Sequence, residues 1–163
     1  MKLIVAVARD WAIGREGGML FHLPGDLKYF RSVTLGKAVV MGRSTLESFP
    51  GGKPLPKRRN IVLSRDPSYF CEGAEVVHSL EEARAAVSGL SGDDIFIIGG
   101  QTVYEAFLPE CDTAYITKID SSAPADRFFP NLDELPEWEA VHADPPAEEN
   151  GVYYQWITYR RKV

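Results

Sequence analysis

Five short runs of the chain are apolar almost from end to end: "LIVAVA" (3–8), "KAVVMG" (37–42), "NIVLS" (60–64), "AEVVH" (74–78) and "IFIIGG" (95–100). A strand with one wet face alternates apolar and polar residues. These runs do not alternate, so they read as strands covered on both faces. Between them the spacing turns helical. "GDLKYFRSVTL" (25–35) sets Asp26, Tyr29, Phe30 and Val33 along one side. "RSTLESF" (43–49) is a short helix. "SLEEARAAV" (79–87) opens with a capping box, Ser79 and then Glu82, and "TVYEAFL" (102–108) stops at Pro109. Strands alternating with helices predict a largely parallel sheet with helices on both faces. The end of the chain departs from this rhythm. "TAYITKI" (113–119), "WEAVHA" (138–143) and "VYYQWITYRR" (152–161) are strands without helices between them, which predicts antiparallel pairing at one edge and a mixed sheet. The Pro-rich stretch "DSSAPADRFFPNLDELPE" (120–137) reads as loop. No repeat or linker divides the 163 residues, a length that suits one domain.

Several classes of function are excluded early. The net charge of −5 leaves no basic footprint for nucleic acid. No apolar run reaches the roughly 18 residues of a membrane helix. The opening "MKLIVAVARDWAIG" is broken by Arg9 and is too short for a signal peptide. Cys71 and Cys111 lie far apart without a C-x-x-C, so two free thiols and a cytoplasmic location are expected. His22, His78 and His142 show no metal-ligand spacing, and no metal is expected. A G-x-S-x-G elbow is absent.

In open sheets of this kind, ligands bind beyond the carboxyl ends of the strands. Two strands end in glycine and run straight into helices, "VVMGRSTLES" (39–48) and "FIIGGQTVYE" (96–105). Glycine admits a ligand close to the backbone, and a helix start offers free N–H groups. Two such cradles suit a diphosphate. Arg43 follows the first cradle and Arg65 follows "NIVLS". As a pair they suit one further phosphate, as on the adenosine ribose of a phosphorylated dinucleotide. The usual G-x-G-x-x-G fingerprint is missing. Hydride transfer from a cofactor asks little of protein side chains and fits this inventory best. Asp26, in "GMLFHLPGDLKYF" (18–30), is either a helix-start acid or a carboxylate kept for a ligand.

Taken in order, "IVAVARDWAIG", "HLPGDLKYFRSVTLGK", "VVMGRSTLES", "KPLPKRRNIVLSR", "IIGGQTVYEAFLP", "AYITKID" and "DRFFP" resemble bacterial dihydrofolate reductase over almost the whole chain. The resemblance implies an α/β fold, one three-layer domain over residues 1–163 with a central eight-stranded mixed, mainly parallel sheet flanked by four helices. It implies reduction of 7,8-dihydrofolate by NADPH, antifolate binding and a monomer. Asp26 matches the acid that binds the pterin, and Thr117 the threonine that hydrogen-bonds that acid. Met19 and Phe21 join them at the catalytic centre. Ile4, Val5, Ala6, Leu27, Phe30, Phe49, Leu55 and Ile98 match the lining of the pterin and benzoyl pocket. Arg58 matches the arginine that holds the glutamate α-carboxylate of folate, and Tyr104 lies beside the nicotinamide. The implied cofactor contacts are Ala6, Ile13, Gly42, Arg43, Ser44, Thr45, Leu63, Ser64, Arg65, Ile98, Gly99, Gly100, Gln101, Thr102, Val103 and Tyr104. Gly99-Gly100 matches a pair joined by a cis peptide in the family, and His78 falls where some members carry a lysine. Residues 9–23 match a mobile lid, with Gly14, Gly17 and Gly18 suited to changing conformation.

Three departures stand out. Leu20-Phe21 replaces the family's Pro-Trp, whose indole helps place a water near the pterin, and Phe21 has no donor. Gln101 and Thr102 stand where some relatives have glycine and arginine. Ala125 replaces a glycine of the outer loop. Two other readings share the general features: a riboflavin-pathway pyrimidine reductase of the same fold, and a nucleotide-binding module without catalysis. The pieces "LPGDLKYF" and "AYITKID" argue against the first.

Overall fold

The structure, a computed structural model, describes residues 1–16 and 18–162. Gly17, one of the three lid glycines, lies outside the described residues. Among the described residues the eleven strands are β1 (Lys2–Val7), β2 (Ala12–Gly14), β3 (Ala38–Gly42), β4 (Arg59–Leu63), β5 (Ala74–Val77), β6 (Ile95–Gly99), β7 (Thr113–Ile119), β8 (Arg127–Phe128), β9 (Trp138–Ala143), β10 (Ala147–Glu149) and β11 (Val152–Arg161). Among the described residues the four α-helices are α1 (Pro24–Thr34), α2 (Arg43–Glu47), α3 (Leu80–Val87) and α4 (Gln101–Phe107).

The main sheet runs in the order β10-β11-β7-β1-β6-β3-β4-β5. Neighbours from β7 across to β5 pair in parallel, and β11 is antiparallel to β7. On its outer side β11 pairs with β10 near its start and with β9 near its end. Two short strands therefore share one edge, and nine strands fill eight positions. The expected single-domain α/β fold, with its eight-stranded mixed sheet and four helices, is what forms. "TAYITKI" sits further inside than its lack of a following helix suggests. It pairs in parallel with β1 on one side, because α4 carries the chain back over the sheet before it.

Side-chain alternation divides the core. Leu3, Val5 and Val7 face one side with Val40, Ile61 and Ile97, under Ala83 and Val87 of α3 and Val103 and Phe107 of α4. Ile4 faces the other side with Val39, Met41, Val62, Phe96 and Ile98, under Tyr29, Phe30 and Val33 of α1 and Leu46 of α2. Val39, Val40, Met41, Ile61 and Ile97 are fully buried, and burying such a side chain contributes about 1.5–3 kcal/mol. These are the continuous apolar runs of the sequence, and their burial on two faces explains why they do not alternate. Ser79 caps α3 by accepting from the Glu82 N–H at 3.0 Å. The Glu82 carboxylate accepts from the His78 N–H, one residue upstream of the box.

The stretch 120–137, read as loop, contributes β8. It pairs with β2, and the Phe129 N–H donates to the Trp11 carbonyl at 2.8 Å. Arg9 pairs with Asp120, and the Glu16 N–H donates to Asp126. Residues 9–16 are thereby joined to 120–129 beside the carboxyl end of β1.

Candidate active site

Asp26 lies in the first turn of α1. Pro24 starts that helix, where its missing N–H costs nothing, and Leu23 at the N-cap supplies no side-chain acceptor. The acceptor comes from β10 instead. The Gly25 N–H donates to both carboxylate oxygens of Glu149, at 3.0 and 3.2 Å. Asp26 is thus freed from capping and turns to the sheet. Its Oδ1 accepts from Thr117 Oγ1 at 2.7 Å and from Trp156 Nε1 at 2.9 Å. Thr117 is buried, and Trp156 is its cross-strand partner in the β7–β11 register. The Trp156 ring stacks on Tyr29 with centroids 4.5 Å apart and meets the Tyr154 edge at 5.6 Å. Burial raises the Asp26 carboxyl above its ordinary range. The Thr117 and Trp156 hydrogen bonds oppose that rise, and the Glu149 charge adds to it. Burial also pushes the Tyr29 phenol up to about 12.

Several of the residues expected to line the pterin pocket lie on the α1 side of the sheet. Ile4 and Ile98 are buried there, with Phe30, Phe49 and Leu55 half-buried against them. Ala6 and Phe21 join Leu23 and Trp156. Leu27 projects from α1 at 39% exposure, and Met19 stands at 63%. Val5 is a correction to the expected lining. Strand side chains alternate faces, so its side chain packs in the opposite core and only its backbone borders the site. Arg58 is held by its own loop and by α1: Nε donates to the Pro56 carbonyl at 3.0 Å and Nη1 to Thr34 Oγ1 at 3.1 Å. Buried Asn60 fixes that loop through the Leu55 N–H and carbonyl and the Arg58 carbonyl.

The two glycine cradles lie side by side. Gly42 caps α2 and Gly100 caps α4, neither with a side-chain acceptor. The Gly99-Gly100 peptide is cis. Gly99 has φ 122°, and a Cβ there would lie 3.2 Å from the Tyr104 ring, so the backbone itself requires glycine. Gly42 has an ordinary φ of −84°; a Cβ there would meet Val103 at 3.4 Å and the Gly99 carbonyl at 4.0 Å. Half-buried Thr45 faces Gly100, and exposed Ser44 and Thr102 flank the cradles. Buried Tyr104 donates to the Ile4 carbonyl at 2.7 Å, tying the β6–α4 junction to β1. Leu63 and Ile13 are half-buried against the α4-side core.

Arg43 stacks on Tyr69 at 4.1 Å and is paired with Glu47 at 3.1 Å and Asp66 at 3.6 Å. Arg65 is exposed. Ser64 between them is buried; its carbonyl accepts from His78 Nδ1 at 2.8 Å, and its hydroxyl accepts from the Asp66 N–H at 3.2 Å. Uncapped helix starts next to glycine, with two guanidinium groups beyond them, fit a phosphorylated dinucleotide. Gln101 is already engaged, since its Oε1 accepts from the Phe128 N–H and its Nε2 donates to Glu105. Among the described residues no cluster has the makings of a metal site.

Three residues of this site escape a reading of the sequence. Glu149, Asn60 and Trp156 act through register and loop closure, which no local pattern reports.

Comparison with known proteins agrees with this geometry. The family model described as dihydrofolate reductase matches residues 1–161. Dihydrofolate reductase type 3 of Salmonella typhimurium is 40% identical over 163 residues, covering 99% of this chain and 98% of that one. The dihydrofolate reductase of Neisseria gonorrhoeae is 41% identical over 162 residues, with 99% and 98% covered. The solved structure of Enterococcus faecalis dihydrofolate reductase, complexed with NADP(H) and RAB-propyl, superposes with a TM-score of 0.86. It is 35% identical, and the match covers 99% of this chain and 96% of that one.

Proposed function

The chain belongs to the dihydrofolate reductase family and reduces dihydrofolate with NADPH, and from that premise we propose that Asp26 is the carboxylate that receives the pterin. The observation that carries this reading is the setting of Asp26: a carboxylate beside an apolar wall, its Oδ1 held by Thr117 and Trp156. Among the described residues no protein donor reaches Oδ2. That oxygen, with its two lone pairs, is left to accept from the pterin's N–H groups.

NADPH supplies the hydride that is delivered to pterin C6. The protein's own work is placement, charge and dryness. Ile4, Ala6, Phe30, Phe49, Leu55 and Ile98 hold the ring system and exclude bulk water, with Met19 and Phe21 closing over it. Asp26 orients the pterin and places negative charge beside it, which favours protonation of the nitrogen next to C6 by a water. Arg58 holds the glutamate α-carboxylate. The cradles at Gly42 and Gly100 take the diphosphate, and Arg43 and Arg65 the phosphate on the adenosine ribose. The protein acts as a cytoplasmic monomer and binds antifolates in the pterin pocket.

The test is an absorbance assay of NADPH oxidation with and without dihydrofolate, run beside Asp26→Asn. Dihydrofolate-dependent oxidation is expected in the parent enzyme, with a loss of orders of magnitude in the variant at neutral pH. A variant with near-normal turnover removes Asp26 from the pterin-binding role.

A further inference from the structure

Phe21, which packs with Leu23 into the Trp156 cluster, offers the site only carbon. The indole donor that reaches Asp26 comes instead from the last strand, 130 positions away in the chain. At 2.9 Å it lies within the range of a charge-assisted hydrogen bond. The ring cannot swing away cheaply. Tyr29 stacks on it with planes 14° apart, Tyr154 packs its edge, and the β7–β11 register pins it opposite Thr117.

We infer that Trp156 is a positioning residue for dihydrofolate reduction: with Thr117 its indole N–H fills the lone pairs of Asp26 Oδ1, stabilises the carboxylate over the acid and leaves Oδ2 to the substrate. This rests on the reading of Asp26 as the pterin-binding acid. An oxygen of a carboxylate has two lone-pair sites, and the two protein donors take both on Oδ1. The groups that face Asp26 otherwise disfavour its charge. Glu149 on β10 repels it, Tyr29 on α1 and Tyr154 on β11 are neutral phenols, and Asp144 adds negative potential at Tyr29. Among the described residues no lysine or arginine pairs with Asp26. Thr117 and Trp156 are therefore the two groups that sustain an ionised carboxylate there.

Trp156→Phe keeps an aromatic ring against Tyr29 and removes the donor. In the ligand-free protein, the Asp26 carboxylate, followed through the 13C NMR shift of its carboxyl carbon, should bind its proton roughly ten-fold more tightly in this variant, the effect of one charge-assisted hydrogen bond. The pH midpoint of single-turnover hydride transfer should move up with it, which loss of packing alone does not produce. In the parent protein the indole 15N–1H resonance of Trp156 should titrate with the Asp26 carboxyl, and Asp26→Asn should abolish that titration, so the inference is tested without the Phe variant. An unchanged carboxyl titration and an indole resonance flat across it overturn the role of Trp156. An Asp26→Asn enzyme with undiminished hydride transfer overturns the reading of Asp26 itself, a separate result.

Discussion

The backbone N–H of Phe128 donates to the side-chain oxygen of Gln101 at 2.9 Å. This bond ties β8, and through it β2 and segment 9–16, to the first residue of α4. Gln101, which stands where some relatives have glycine, therefore holds residues 9–16 and 127–128 to the start of α4, beside the glycine where the diphosphate is proposed to lie. Gln101→Ala removes the acceptor. The Phe128 amide should then exchange faster with solvent, and NADPH should bind up to about five-fold more weakly, the worth of one neutral hydrogen bond. Unchanged exchange at Phe128 counts against the tether.

Asp26 bears on stability as well as on chemistry. Its carboxyl is raised above the ordinary 3.8, first by burial. Between that value and the higher folded one, the folded state keeps a proton that the unfolded state has released. Stability therefore falls as pH rises through this window, and the loss is complete above it. Asp26→Asn keeps an oxygen for Thr117 and Trp156 and has no charge to desolvate or to set against Glu149. Ligand-free Asp26→Asn should melt above the parent protein at neutral pH, and the gap should narrow as pH falls through that window and be smallest below 3.8, as calorimetry across pH will show. The same variant should lose about 10²–10⁴ in single-turnover hydride transfer.

The two arginines at the strand ends are not equivalent. Arg43 is stacked on Tyr69 and paired with Glu47 and Asp66, so much of its charge is already answered. No ion pair engages Arg65 among the described residues. Arg65→Ala should weaken NADPH binding about ten-fold and leave NADH binding unchanged, with a smaller NADPH loss for Arg43→Ala. Both losses should shrink at high salt, because the groups are exposed. Titrations of both cofactors at two ionic strengths check this; equal losses for NADPH and NADH count against it.

What is legible in the sequence follows from local chemistry. Continuous apolar runs mark β1, β3, β4 and β6, because burial on both faces leaves no polar alternation. Glycine at the ends of β3 and β6 marks the cradles, and Ser79 marks the start of α3. What is hidden depends on register. Trp156 looks like one more apolar residue of "VYYQWITYRR" until β11 pairs with β7 and sets it opposite Thr117. Glu149 lies on a three-residue strand too short to show a period, yet it satisfies the start of α1 across 124 positions. Phe21 reads as a missing donor, and no local pattern tells that an indole from β11, Trp156, reaches Asp26 directly. Val5 reads as lining because its neighbours belong there, and the strand's period of two puts it in the other core.

Gly42 separates the demands of folding from those of binding. Gly99 is glycine because φ 122° and the Tyr104 ring require it. Gly42 has no such need: its φ of −84° suits any residue, and an added methyl would rest at 3.4 Å from Val103, near ordinary contact. That methyl would stand between the two cradles, where the diphosphate is proposed to lie. Gly42→Ala should therefore fold with a melting temperature within about 2 °C of the parent, as for a substitution worth under about 0.5 kcal/mol. It should still bind NADPH at least about ten-fold more weakly, because one misplaced carbon keeps the phosphate from the backbone N–H groups. Thermal melts beside NADPH titrations decide it. A variant that melts early shows a packing need at Gly42, and one that binds normally shows that the diphosphate passes elsewhere.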